Sequence, residues 1–143
     1  MPLSIFTLLY AEDEEGIRNN PDYLHDTDLR TAKFKDYVVD KNWLDFGAEF
    51  GLVVDRLKGF AKTHYALEAV SQLTQFNLSR GLNAISSLNE VEDNALDVIT
   101  MFHVLEHLDE PIEILQLCRK KLVKGGLLII EVPHARDYLI ETA

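Results

Sequence analysis

The sequence predicts one α/β domain built on a doubly wound sheet of about five parallel strands. From residue 42 onward, β-leaning segments alternate with helical segments, which is typical of a parallel sheet with helices on both faces. The 143 residues are enough for one core, and no long linker interrupts them. We therefore expect a single domain at 1–143, with an N-terminal helical segment at 1–40 and a core at 41–136.

The predicted strands are short apolar runs, and most of them end at a glycine, a proline or an acidic residue. Four are well marked, whereas the third is a weaker candidate. In chain order they are residues 42–46, 63–67, 82–87, 95–101 and 127–132. Because ligands of such sheets lie beyond the carboxyl ends of the strands, the residues that follow these runs are where a site is expected.

The predicted helices fill the gaps between the strands. A first helix runs from a cap at Thr27 or Asp28 to about residue 40. Apolar residues at helical spacing then mark segments at 50–59 and 69–79. The last helix has Pro111 in its first turn and basic residues at its end, and Gly125-Gly126 is expected to stop it.

Composition narrows the classes of function. The net charge of −10 makes nucleic acid a poor partner, because a phosphate backbone would be repelled. No apolar run approaches the roughly 20 residues that a membrane helix needs, so no membrane partner is expected. The first residues have no basic lead, which argues against a signal peptide. A single cysteine, Cys118, agrees with a reducing compartment, and we expect a cytoplasmic protein.

The first candidate site is the turn after the first strand, in the run WLDFGAEFG at residues 43–51. Gly47 allows a sharp turn, and the helix that follows presents free N–H groups to a ligand. Glu68 lies about 20 residues further on, at the end of the second strand, where an acid can accept hydrogen bonds from ribose hydroxyls. These features suit nucleotide binding, although an ordinary α/β crossover can also contain them.

Two later segments carry a resemblance to a known family. LDVITMFHVLEHL at residues 96–108 resembles the fourth-strand segment of class I S-adenosylmethionine (SAM)-dependent methyltransferases, in the branch with an F-H-V-L-E-H motif. That branch includes quinone-biosynthesis and sugar methyltransferases. LVKGGLLIIEVP at residues 122–133 resembles the turn and fifth strand that follow. The resemblance covers residues 43–136 and implies a Rossmann-like fold, SAM as cofactor and a small-molecule methyl acceptor.

The resemblance also implies a cofactor site but assigns no catalytic residue and no metal. Asp45 would steady the turn or meet the amino group of the cofactor, and Glu68 would hold its ribose. The backbone would approach the cofactor at glycine and small residues, and further contacts would come from the segments after the third and fourth strands. The complete set is Asp45, Gly47, Ala48, Gly51, Glu68, Asn89, Phe102 and His103.

Two departures from the family pattern affect this expectation. Glu49 occupies the position of the middle glycine of the turn, where its charge would face the carboxylate of the cofactor. The chain also lacks the usual last helix and two strands, so the fifth strand would have an open edge and favour self-association. The alternative to an active enzyme is therefore a degenerate or truncated relative that acts as a non-catalytic binding protein.

Two other classes of enzyme share part of these motifs. His103, Glu106 and His107 match the H-x-x-E-H pattern of a group of zinc proteases, but that pattern needs His103 well inside a helix. A nicotinamide-dependent dehydrogenase would share the first turn and the acid, but its turn requires three glycines. Neither class explains the segment at 102–107 together with Lys124-Gly125-Gly126.

Overall fold

The computed structural model describes residues 14–133, so the expectation about a signal peptide lies outside the described residues. The helices are α1 (Glu14–Arg18), α2 (Pro21–Val38), α3 (Leu52–Leu57), α4 (Ser71–Ser79) and α5 (Pro111–Lys121). The strands are β1 (Asn42–Phe46), β2 (Thr63–Leu67), β3 (Ala84–Ile85), β4 (Leu96–Phe102) and β5 (Leu122–Glu131). Two short 3-10 turns follow β3 and β4, at Leu88–Glu90 and Leu105–His107.

The five strands form one parallel sheet in the order β3-β2-β1-β4-β5. The chain winds outward from β1 to β3, then returns to the other side of β1 with β4. The direction of winding therefore reverses between β1 and β4, and the turn after β1 lies beside this crevice. The predicted doubly wound, Rossmann-like α/β sheet is confirmed.

Each face of the sheet is covered by helices, and neighbouring residues of β1 divide between the two cores. Trp43 is fully buried with Phe34 of α2 and Val54 of α3. Leu44 points to the opposite face, where it packs in a cluster that includes Cys118 of α5. Cys118 is thus a core residue, and burial raises the pKa of its thiol to about 11. In the part of the chain described, no helix has the length and apolar character needed to cross a bilayer.

The predicted start of α2 was wrong. The helix begins at Pro21, and Asn20 caps it, because the Asn20 side chain accepts a hydrogen bond from the Asp22 N–H at 2.9 Å. Thr27, one of the two predicted caps, lies inside the helix and donates its hydroxyl to the carbonyl four residues earlier at 2.8 Å. A proline at the first helical position needs no N–H partner, so Asn20-Pro21 is a favourable start for a helix.

The third strand is shorter than the predicted segment at 82–87. It contains only Ala84–Ile85, because Glu90 captures the N–H groups that would continue the ladder. Glu90 Oε2 accepts from the Ser86 N–H at 2.9 Å and from the Ser87 N–H at 3.0 Å. This capping box turns the chain into the 3-10 turn at Leu88–Glu90.

The last helix ends before the predicted glycine stop. Its final carbonyls, at Lys120 and Lys121, accept the N–H groups of Asn94 and Ala95 at 2.9 and 3.0 Å, which closes the helix. β5 begins directly afterwards at Leu122, earlier than predicted. Gly125 and Gly126 lie within this strand, in the irregular stretch where its register with β4 shifts.

Candidate functional site

The turn after β1 is held against the end of β2. The N–H groups of Gly47 and Ala48 both donate to the Leu67 carbonyl, at 2.8 and 2.9 Å. Gly47, Glu49 and Gly51 all have positive φ angles, of 78°, 51° and 67°. The turn therefore uses the left-handed conformation three times in five residues, which accounts for its glycines.

Packing also requires glycine at Gly47 and Gly51. A Cβ at Gly47 would lie 2.3 Å from Cγ2 of Val104, which follows β4. A Cβ at Gly51 would lie 2.5 Å from Cδ1 of Leu82 and 2.7 Å from Oδ1 of Asn77. The turn is thus in direct contact with the segments that follow the neighbouring strands.

Glu49 adopts the conformation of the glycine that it replaces. Its N–H donates to Glu68 Oε2 at 3.0 Å, and its carbonyl accepts from Asn77 Nδ2 at 2.8 Å. These two bonds hold a non-glycine residue at positive φ, where it is strained. Asn77 is fully buried, and the sequence analysis did not predict that it supports the turn. Its position four residues after the buried Leu73 places it on the buried face of α4, and a polar residue on a buried face is a signal for a hydrogen-bonding role.

Glu68 lies at the carboxyl end of β2, as predicted, and only 8% of it is exposed. Its Oε1 accepts from the Val70 N–H at 3.0 Å, and its Oε2 accepts from the Glu49 N–H. An ionised carboxylate has about four acceptor positions, so these two bonds leave capacity for ligand hydroxyls.

Asp45 is the most perturbed acid of the site. It is buried within β1, and the Thr100 hydroxyl donates to its Oδ1 at 2.6 Å. Trp43 Nε1 in turn donates to the Thr100 hydroxyl oxygen at 2.9 Å. Neither Thr100 nor Trp43 was predicted to contribute to the site. The two hydrogen bonds that link Trp43 to Asp45 both involve Thr100, which lies on the adjacent strand β4.

Burial raises the pKa of the Asp45 carboxyl to about 7. The hydrogen bond from Thr100 and the charge of Arg30 oppose this rise, whereas the carboxylates of Glu49 and Glu68 add to it. The three acids are therefore close enough to interact electrostatically. Near neutral pH, Asp45 can be either a carboxylate or a neutral acid.

Asn89 belongs to the 3-10 turn that follows β3, on the far side of β2 from the glycine turn. Its side chain is exposed, and its N–H donates to the Ser87 hydroxyl oxygen at 3.1 Å. Its predicted contact with the cofactor thus remains a prediction, based on its place after a strand end.

Phe102 and His103 lie at the end of β4, beside the crevice. Phe102 is buried, with its ring 5.0 Å from that of Phe34. His103 has a positive φ of 54° and directly follows the strand, so it is outside any helix. The zinc-protease pattern lacks the helix that it requires. Within residues 14–133 there is also no group of three or more His, Cys, Asp or Glu side chains suited to a metal ion.

The structure thus places most of the predicted residues at neighbouring strand ends. Asp45, Gly47, Ala48 and Gly51 follow or end β1, and Glu68 follows β2. Phe102 and His103 lie at the end of β4, the other neighbour of β1. Such a crevice with buried acids and a glycine turn is a general form of nucleotide site.

The known proteins that this chain is similar to are methyltransferases. A family model described as a methyltransferase domain matches residues 18–143. The chain is 30% identical to a mitochondrial ubiquinone biosynthesis O-methyltransferase of Candida albicans, over 87% of this chain and 41% of that protein. The chain therefore spans about two fifths of the length of this curated relative.

Solved structures share the fold at low sequence identity. A SAM-dependent methyltransferase of Thermotoga maritima, described as a possible histamine N-methyltransferase, has a TM-score of 0.71 at 18% identity, over 90% of this chain and 60% of that one. Phosphoethanolamine N-methyltransferase 1 of Haemonchus contortus has a TM-score of 0.72 at 16% identity, over 91% of this chain and 31% of that one. Because the family model matches most of this chain, the chain belongs to the methyltransferase domain family.

Proposed function

We propose that this chain transfers a methyl group from SAM to a hydroxyl group of a small-molecule acceptor. The observation that carries the proposal is the pair of buried acids, Asp45 and Glu68, which flank a left-handed glycine turn at the crevice of the sheet. The family membership of the chain supports the same reaction.

The residues of the site fit SAM chemically. SAM carries a positive ammonium group on its methionine part, and Asp45 offers a carboxylate to it. Among the described residues, only Thr100 donates a hydrogen bond to this carboxylate, at Oδ1. Glu68 retains acceptor positions for the two ribose hydroxyls. When bound, the cofactor would supply a methyl group carried on its sulfonium sulfur, and the electron pair of the C–S bond that breaks would stay on that sulfur.

The curated relative supports an oxygen acceptor, since it is named an O-methyltransferase. The two structural neighbours named as N-methyltransferases share only the fold with this chain, at 18% and 16% identity. Cytoplasmic placement is also part of the proposal. It rests on the single cysteine, whereas the curated relative is named mitochondrial.

Glu49 is the observation that favours the second candidate, a non-catalytic binding protein. Its side chain belongs to the turn that would approach the carboxylate of SAM, and like charges a few ångströms apart near a surface cost roughly 1–4 kcal/mol. The backbone of Glu49 nevertheless keeps the glycine-like φ and two hydrogen bonds, so the turn retains its shape. This retained shape favours the enzyme.

The proposal is tested by incubating the chain with SAM labelled on its methyl group and with catechol, a simple aromatic diol. We expect labelled O-methyl product and much less product from benzylamine, which offers only a nitrogen. A panel of diols and phenols without any labelled product, under conditions where SAM binds, would support the binding protein instead.

We also propose that the chain self-associates across the edge of β5. In the described part of the chain no strand pairs with this edge, and two apolar residues near its carboxyl end, Ile130 in the strand and Val132 just after it, are 38% and 49% exposed. Light scattering over a range of concentrations should show mass rising above that of a monomer. Ile130→Lys should suppress this rise, whereas Leu78→Lys, at a similarly exposed site on α4, should not. A monomeric mass at every concentration would contradict the proposal.

A further inference from the structure

The end of α4 lies against the outer side of the turn between Asp45 and Gly51. Asn77, in the last turn of the helix, donates from Nδ2 to the Glu49 carbonyl at 2.8 Å. Arg80, directly after the helix, donates from Nη1 to the Phe50 carbonyl at 3.2 Å. Two side chains from one helix end therefore hold two successive peptide groups of the turn.

The bond from Asn77 acts on the residue of the turn that most needs support. Glu49 has a φ of 51°, in the left-handed region that glycine adopts readily. For a residue with a Cβ, this region is disfavoured by enough to shift a conformational equilibrium by roughly 10-fold. The Glu49 N–H is held by Glu68 and its carbonyl by Asn77, so the two bonds together restrain both backbone torsions of Glu49.

Asn77 is otherwise a costly residue for its position. Its side chain is fully buried, and among the residues that the structure describes its Oδ1 accepts no hydrogen bond. A buried polar oxygen without a partner destabilises the folded state, and an apolar residue such as Leu73, one turn earlier, avoids that loss. The benefit that offsets this loss is the bond that Asn77 donates to Glu49.

Relaxation of Glu49 would reach the groups that we propose bind SAM. The N–H of Glu49 is one of the two partners of the Glu68 carboxylate, so a change in the backbone at Glu49 would release Oε2 of that acid. It would also change the path of the turn between Gly47 and Gly51. Only the fraction of molecules with the correct turn binds the cofactor, and that fraction scales the apparent affinity.

We propose that Asn77 is a positioning residue for the cofactor, and that its hydrogen bond replaces the conformational freedom that a glycine at position 49 would provide; this rests on the proposed function. Asn77 does not touch the cofactor and acts through the Glu49 carbonyl. It follows that Asn77 matters for binding only while residue 49 carries a Cβ.

The test is a double-mutant cycle, measured by calorimetry with S-adenosylhomocysteine, the demethylated cofactor. Asn77→Ala should weaken binding by roughly 10-fold in the otherwise unmodified chain. In a chain that also carries Glu49→Gly, the same change should weaken binding by less than about 2-fold, which is the usual error of additivity. Glu49→Gln is the matched control, because it removes the charge and keeps the Cβ. The loss caused by Asn77→Ala should remain roughly 10-fold in that background.

Two further measurements separate this role from ordinary packing. Leu73→Val shortens another buried side chain on the same face of α4 without removing the bond to Glu49. It should lower the midpoint of urea unfolding, and it should change the affinity by the same factor with and without Glu49→Gly. Asn77→Ala should lower the midpoint further in the unmodified background than together with Glu49→Gly, and this comparison also applies to a variant too unstable for calorimetry.

Equal losses for Asn77→Ala with and without Glu49→Gly, in affinity or in the unfolding midpoint, would overturn the inference. The proposed function would stand in that case, since the unmodified chain still binds S-adenosylhomocysteine. Failure of both the unmodified chain and Glu49→Gly to bind S-adenosylhomocysteine would overturn the proposed function and this inference together.

Discussion

Asp45→Asn is expected to stabilise the chain at pH 8 and to weaken the binding of SAM. Burial raises the pKa of Asp45 from 3.8 to about 7, so the folded chain binds this proton more tightly than the unfolded chain does. Stability is therefore lost as the pH rises from about 4 to 7, and above pH 7 the loss is on the order of 4 kcal/mol, at about 1.4 kcal/mol per pH unit. Asparagine carries no charge at any pH, yet its oxygen can still accept from Thr100.

Urea unfolding of both proteins at pH 4.5 and pH 8 measures this effect. The difference in unfolding free energy between Asp45→Asn and the unmodified chain should grow with pH, since the variant lacks the ionisation. Affinity for SAM should fall by roughly 10-fold or more, as expected for losing a hydrogen bond to a charged group. A stability difference that is the same at both pH values would show that Asp45 is not held as a neutral acid.

Gly51→Ala is expected to cost at least about 3 kcal/mol of stability and to remove cofactor binding. The new Cβ would be placed in the left-handed region, at a φ of 67°. It would also lie 2.5 Å from Leu82 and 2.7 Å from the Asn77 oxygen, and Asn77 is fully buried and cannot move freely. Because Asn77 holds the Glu49 carbonyl, its displacement would release the turn.

Two other glycines separate the causes of this loss. Gly81 has a φ of 80° with open space around its Cβ position, so Gly81→Ala should show the backbone strain alone, about 1–2 kcal/mol. Gly59 has neither a positive φ nor a close neighbour, so Gly59→Ala should change stability by less than about 0.5 kcal/mol. Thermal or urea unfolding of the three variants gives the comparison. Equal losses for Gly51→Ala and Gly81→Ala would show that the packing around Gly51 yields freely.

Local sequence patterns were enough to predict the strands that build the crevice. β1 and β2 have the predicted bounds, because both are short apolar runs bounded by a glycine or an acid. The same patterns placed Gly47, Gly51 and Glu68 at strand ends, since the order of elements alone determines that position. The starts of α2 and β5 were missed because side chains and neighbouring segments, not periodicity, determine where those elements begin.

The interior of the site depends on contacts between distant residues. Thr100 reaches Asp45 across 55 positions, and Arg30 reaches Glu131 across 101. No local pattern marks such pairs, because each partner is an ordinary residue of its own element. Asn77 could be predicted in part. Its position on the buried face of α4 marks it as an unusual polar residue, but the sequence does not indicate which carbonyl accepts its hydrogen bond.

A calorimetric titration of SAM into the unmodified chain and into Glu49→Gly tests most directly whether the turn between Asp45 and Gly51 holds the cofactor. We expect one saturable site in both proteins. Binding should be about 10-fold tighter in Glu49→Gly, because removing a charge a few ångströms from the cofactor carboxylate relieves on the order of 1 kcal/mol or more. The absence of heat in both proteins, at concentrations where the chain is folded, would contradict the claim that the turn between Asp45 and Gly51 holds SAM.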